Sequence, residues 1–161
     1  MADKLARLVI DNDYHIDCGV LGTKCIFGAL SENGYAEALY KMITNPTAPS
    51  YAYWINDGMT TLCEQWGYVD RDGQECSRNH HMFSEVDNWF YKYIAGIRID
   101  ENGIVIEPCF VDEIEWVKAH HRDIQVEWNK EKICIKTEHS LKAIIKGKEY
   151  MIEKGEHSIW I

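Results

Sequence analysis

The sequence has no C-x-x-C pair, no excess of positive charge, no long apolar run and no repeated or low-complexity segment. Each absence closes off a class of protein. Six cysteines (Cys18, Cys25, Cys63, Cys76, Cys109 and Cys134) are scattered along the chain, which disfavours a zinc or thiol-redox motif. Most of them stand among apolar neighbours, where a free thiol behaves as a small core residue. That usage fits a reducing compartment, although a disulfide stays open. A formal net charge of −9 disfavours a nucleic-acid backbone or an anionic membrane as partner. No apolar run approaches the roughly 18 residues a membrane span needs. The opening MADKLARLVID lacks the layout of a signal peptide, and a cytoplasmic location is the expectation.

What is present is an ordinary globular composition, 46% apolar and 27% charged over 161 residues, enough for one domain or two small ones. Periodicity divides the chain near Gly96, giving an expected α+β protein with a helical region over residues 1–96 and a β region over 97–161. The acidic excess is larger in the first part. In ADKLARLVID, Leu5, Leu8 and Val9 share a helical face. GVLGTKCIFGALSENGYAEALYKMITNP reads as a helical hairpin. Leu21, Cys25 and Ala29 form its first stripe, ENG its turn, Ala36, Leu39, Tyr40 and Ile43 its second stripe, and Pro46 its stop. A helix is also expected to bury Met59, Leu62, Cys63 and Trp66. Met82 through Ile94 shows the clearest 3.6-residue period, with Ser77 or Asn79 as cap and Gly96 as stop.

Beyond Gly96 the period changes to two. GIRIDENGIVIEP places Asn102-Gly103 between β-branched runs, a hairpin signal. DEIEW, DIQVEWN, KICIKT and the segment punctuated by Gly147 and Gly155 alternate as half-buried strands do. About seven short strands suggest a small antiparallel β-sandwich.

Three clusters break the binary pattern. In YHIDCGVLGT, His15 and Asp17 precede two glycines: either a loop with a capping Asp17, or a loop lining a pocket mouth. In SYAYWINDGMTTLCEQWGY, Tyr51, Tyr53, Trp54, Trp66 and Tyr68 are interleaved with Asn56, Asp57, Thr60, Thr61 and Glu64. Such a set is either core or a sugar site, because a pyranose offers one apolar face and a polar rim. SRNHHMF holds His80 and His81, which as neighbours do not share a helix face and do not make a chelating pair. His120 and His121 read as surface residues. No metal or cofactor is expected.

Taken in order, HIDCGVLGT, YAYWINDGMTTLCEQWG and SRNHHMFSEVDNWFYKYIAGI resemble the C-terminal end of bacterial α-L-rhamnosidases of glycoside hydrolase family 78. The strands that follow are similar to the β-sandwich closing those enzymes. The resemblance implies the last hairpins of an α/α toroid, hydrolysis of terminal α-L-rhamnose with inversion, and a rhamnoside as carbohydrate partner. It implies Glu64 as general base, His80 as a sugar contact, and Trp54, Trp66 and His15 as further substrate-binding residues. Cys63 stands where the family usually has Trp or another large residue, and Ser84 where it has Gly. The family's general acid belongs to an upstream acidic motif without counterpart among these residues. Asp17, Asp57 and Glu85 are not expected to replace it, so the chain alone is expected to be inactive. Uncovered helical faces are expected to drive self-association. The alternatives are a non-catalytic carbohydrate-binding module built on the Trp54, Trp66 and Tyr68 rings, or a truncated remnant that binds no sugar.

Overall fold

Helical and two-residue periodicities sort into separate bodies. The computed structural model describes residues 1–16, 18–101 and 103–161, and these form two compact units, Met1–Asn88 and Trp89–Ile161. Asp17, read as a cap, and Asn102 of the expected Asn-Gly turn lie outside the described residues.

The first unit contains α1 (Ala2–Asp11), α2 (Val20–Ser31), α3 (Ala36–Thr44) and the short α4 (Tyr51–Asn56). The α2–α3 hairpin closes at Gly34, whose φ of +83° is a conformation that L side chains rarely adopt. There the Tyr35 and Gly34 amides donate to the Leu30 and Ser31 carbonyls, a Schellman closure. α4 begins at the buried Ser50, whose Oγ accepts from the Tyr53 amide at 3.0 Å. It ends in a second Schellman closure, with Met59 and Gly58 donating to Trp54 and Ile55.

Two stripes differ from expectation. α1 buries Ala6 and Val9, while Leu8 falls to the side of that face and is 58% exposed. α2 buries Thr23, Phe27, Leu30 and Ser31, and its Leu21 and Cys25 point outward. The reason is that α2 is apolar on nearly every side, so an i, i+4 stripe does not identify the face its neighbours cover. In α3, Ala36, Leu39 and Ile43 are buried as expected, joined by Ala38 and Met42, while Tyr40 is only half-buried.

Residues 59–68 form no helix, and the long helix expected from the SRNHHMF motif onward starts only at Glu85, as α5 (Glu85–Trp89). The cause is competition for backbone donors. Glu64 and His80 donate their amides to Ser77 and Leu62, which holds both segments extended. Ser77 and Asn79 therefore cap nothing: the Ser77 hydroxyl exchanges hydrogen bonds with the backbone of Asn79.

The second unit opens with a π-helical turn, Phe90–Ile94, in which the Ala95 amide donates to Phe90. Gly96 is the stop, at φ +77°, and a Cβ there would lie 2.2 Å from the backbone nitrogen of Pro108. Eight strands follow: β1 (Ile97–Asp100), β2 (Gly103–Ile106), β3 (Trp116–His121), β4 (Ile124–Asn129), β5 (Lys132–Thr137), β6 (Leu141–Ile145), β7 (Lys148–Ile152) and β8 (Gly155–Trp160). DEIEW is not a strand; β3 begins at its last residue. The strands form two sheets, ordered β1-β2-β6-β7 and β3-β4-β5-β8. Pairing is antiparallel except between β2 and β6, which run parallel. Alternation fixes the faces: Ile124, Val126, Trp128, Ile133, Ile135, Leu141, Ala143 and Ile145 point inward and are buried.

Candidate functional site

Two of the three sequence clusters are fastened together by main-chain hydrogen bonds. Segment 62–64 lies beside 77–80: Glu64 N–H donates to the Ser77 carbonyl and His80 N–H to the Leu62 carbonyl, both at 2.8 Å. The Glu64 side chain closes the clamp, its Oε2 accepting from Ser77 N–H at 3.1 Å. The Thr61 hydroxyl donates to the Arg78 carbonyl. The intervening chain leaves and returns as a narrow hairpin. Its stem is the Cys76 amide donating to Tyr68 at 2.8 Å, and in its tip Asp70 Oδ1 accepts from Asp72 and Gln74. A long excursion in sequence thus returns to within hydrogen-bond range of its start.

Beneath the clamp lies an aromatic cluster. The Trp66 indole stacks on Trp54 at 4.4 Å between centroids and contacts Phe83 at 4.2 Å. Tyr51 meets both indoles edge-on, and its hydroxyl donates to the Phe83 carbonyl at 2.8 Å. Burial pushes the Tyr51 phenol far above its ordinary pKa, so it remains a donor. Trp66 Nε1–H donates to the Cys18 carbonyl at 3.0 Å, which ties in the cluster around His15. Trp54 Nε1–H donates back to the Trp66 carbonyl.

The candidate residues therefore differ in availability. Glu64, Trp66 and His80 are half-buried. Trp54 is 2% exposed and offers almost no surface to a ligand. His80 Nδ1 accepts from Met82 N–H at 3.1 Å, so the neutral ring carries its proton on Nε2, a donor. His81 stacks on His80 at 5.0 Å. His15 is held elsewhere, between Thr47 Oγ1 at 2.8 Å and the Asn12 carbonyl at 3.1 Å.

Sequence reasoning missed Ser77 and Arg78 as partners, because both were assigned to a helix start. Arg78 places its guanidinium 4.9 Å from the Tyr68 ring centroid, and Tyr53 stacks on the same ring. Tyr68 sits at φ +66°, a conformation held only where surroundings demand it. Burial, and then the neighbouring Asp57 carboxylate, push its phenol pKa up. Among the described residues, no group of three or more His, Cys, Asp or Glu side chains is placed to hold a metal ion.

Residues 1–94 match the family described as the bacterial α-L-rhamnosidase six-hairpin glycosidase domain. An α-L-rhamnosidase from Streptomyces avermitilis is 31% identical over 79% of this chain, and one from Alteromonas sp. is 30% identical over 78%. The chain spans only 14% and 15% of the lengths of those two relatives. Among solved structures, an α-L-rhamnosidase from Dictyoglumus thermophilum superposes with a TM-score of 0.82 at 27% identity, over 97% of this chain and 22% of that one. The Streptomyces avermitilis α-L-rhamnosidase complexed with L-rhamnose gives a TM-score of 0.83 at 22% identity, over 99% of this chain and 19% of that one, a likeness of fold.

Proposed function

We infer the function from one premise: the chain belongs to the bacterial α-L-rhamnosidase six-hairpin glycosidase family. We propose that Glu64 is the general base of an inverting hydrolysis of terminal α-L-rhamnosides, with His80 and Trp66 holding the sugar. The observation that carries this reading is the clamp of 62–64 against 77–80, which puts a half-buried carboxylate and an imidazole donor on paired segments over an aromatic floor. Ser77 N–H anchors one oxygen of Glu64 and so directs the other, which we assign to the attacking water. As water oxygen bonds to the anomeric carbon, its proton passes to that carboxylate. The glycosidic oxygen leaves from the opposite face with a proton from a second carboxyl, about 6.5–9.5 Å away in such enzymes. We assign that acid to a region outside these residues, since the relatives are several times longer. His80 Nε2–H donates to a sugar hydroxyl, and Trp66 receives the apolar sugar face. Trp54 acts through Trp66, as its support.

Calorimetric titration of the chain with L-rhamnose tests the sugar-holding half of this reading. Weak saturable heat is expected, with affinity lowered about tenfold in His80→Ala, as for loss of one charged or neutral hydrogen bond. Glu64→Gln is expected to bind within a few-fold of the parent. Absence of heat from the parent chain would sink the claim that these residues hold the sugar by themselves.

We also propose that the chain self-associates through the outer faces of α1 and α2, where Leu8 is 58% and Leu21 77% exposed. Large apolar side chains left exposed on helix faces call for a cover. Light scattering is expected to give a mass above that of one chain, reduced by a Leu8→Lys, Leu21→Lys pair. A monodisperse monomer at high concentration would overturn it.

A further inference from the structure

The outer face of the β3-β4-β5-β8 sheet has no part in the clamp, and its side chains fall into rows set by the strand register. Trp116 is opposite Asn129 and Lys132 is opposite Trp160, and with β4 and β5 joined as a hairpin these make one row of Trp116, Asn129, Lys132 and Trp160. The next row is Lys118, Glu127, Cys134 and Ser158, and the third His120, Gln125, Lys136 and Glu156. Both tryptophans are displayed to solvent, Trp116 at 69% and Trp160 at 73% exposure. A surface indole is costly to leave in water, and two of them at opposite ends of one row form a pattern that the core does not need. Strand spacing puts them about 14 Å apart, three strands over.

Asn129 and Lys132 stand between the two rings, and the face beside them is grooved. One cleft of about 260 Å³ runs from Trp116 by Lys118, Glu127, Asn129 and Lys132, and another of about 170 Å³ lies in the second and third rows by Gln125, Glu127, Lys136 and Glu156. The charges are largely balanced within the face. Lys118 pairs with Glu127 at 2.6 Å, and Lys136 stands opposite Glu156. An ionic ligand would meet no dominant field there. A ligand with hydroxyl groups would meet the Asn129 amide and the Lys132 ammonium between the two flat apolar rings, and the Glu127 carboxylate in the next row.

We propose that this face binds an uncharged oligosaccharide lying across the strands, with sugar rings stacked on Trp116 and Trp160 and hydroxyls bonded to Asn129, Lys132 and Glu127. Pyranose C–H faces suit the electron-rich face of an indole, while the rim needs the polar side chains between and beside the rings. The span between the tryptophans calls for a chain of sugars rather than a single ring. The proposal does not depend on the role assigned to Glu64.

The test follows the indole N–H resonances of the chain by NMR during titration with rhamnan, xylan and cellulose oligosaccharides, with monomeric L-rhamnose in parallel. Trp128 serves as internal reference, because its Nε1–H is buried and donates to the Ile94 carbonyl at 2.8 Å. The expected result is saturable movement of the Trp116 and Trp160 signals with at least one oligosaccharide, and none at those two with L-rhamnose. Trp116→Ala and Trp160→Ala are each expected to weaken the affinity about tenfold with the Trp128 signal unmoved. Both substitutions lie on the outer face, so folding is not at stake. If none of the three oligosaccharides moves these two signals, the proposal is overturned. It is equally overturned if they shift with protein concentration alone, since the face would then be a contact between copies.

Discussion

Glu64→Gln is expected to lower kcat on an aryl α-L-rhamnoside by about 10²- to 10⁴-fold with little change in KM, when the chain replaces the matching segment of the Streptomyces avermitilis relative. The amide is close to isosteric and its oxygen still accepts from Ser77 N–H, so the clamp stays closed. What disappears is the basic oxygen, and with it the acceptor proposed for the proton of the attacking water. Added azide needs no deprotonation, and it is expected to restore turnover in the variant and not in the parent. An α-substrate attacked from the far face gives the β-glycosyl azide. Recovery of the α-azide would instead indicate two displacements and overturn the inverting mechanism, with Glu64 then acting in the second of them. Unchanged kcat in the variant would remove it from the chemistry altogether.

The β unit was legible because its information is local. β3 pairs with β4 and β4 with β5, each across a short turn, and alternation of period two names the inward side chain without reference to anything distant. Even so, DEIEW alternates as a strand would but stands outside the ladder except for Trp116. The helices were legible as elements and less so as faces. Leu21 and Phe27 are equally apolar, and only the packing of α2 against its neighbours decides which is buried. Segment 59–84 was read wrongly because its structure is set by partners far along the chain. No periodicity in TTLCEQW says that Glu64 bonds to Ser77, and the apolar Met82 and Phe83 extended a helical pattern that begins only at Glu85. Resemblance to a family supplied Glu64 and His80 together; the hydrogen bonds between their segments are what set the two motifs side by side. Tyr68 is the opposite case. Its left-handed backbone and its ring contacts with Tyr53 and Arg78 left no trace in the sequence pattern.

Trp54→Ala is expected to destabilise the first unit by about 3–5 kcal/mol, the usual result of truncating a buried aromatic. Trp54 is 2% exposed, stacks face to face on Trp66, meets Tyr51 and Phe83 at its edges, and donates to the Trp66 carbonyl. Truncation therefore leaves a cavity under the one aromatic that reaches the surface and frees a carbonyl that its indole satisfied. Against a total stability of about 5–15 kcal/mol for a domain, the loss is a large fraction. Urea unfolding is expected to show the transition of residues 1–88 moved to lower denaturant while that of residues 89–161 keeps its midpoint. Trp54→Phe retains a ring beneath Trp66 but not the indole N–H, so it should fall between parent and Ala. Support and contact predict different orders of failure. If Trp54 works through Trp66, affinity for L-rhamnose falls only as stability falls. If Trp54 touches the sugar, Trp54→Phe loses affinity at nearly unchanged stability, and the assignment of Trp54 as the support of Trp66 would have to be given up.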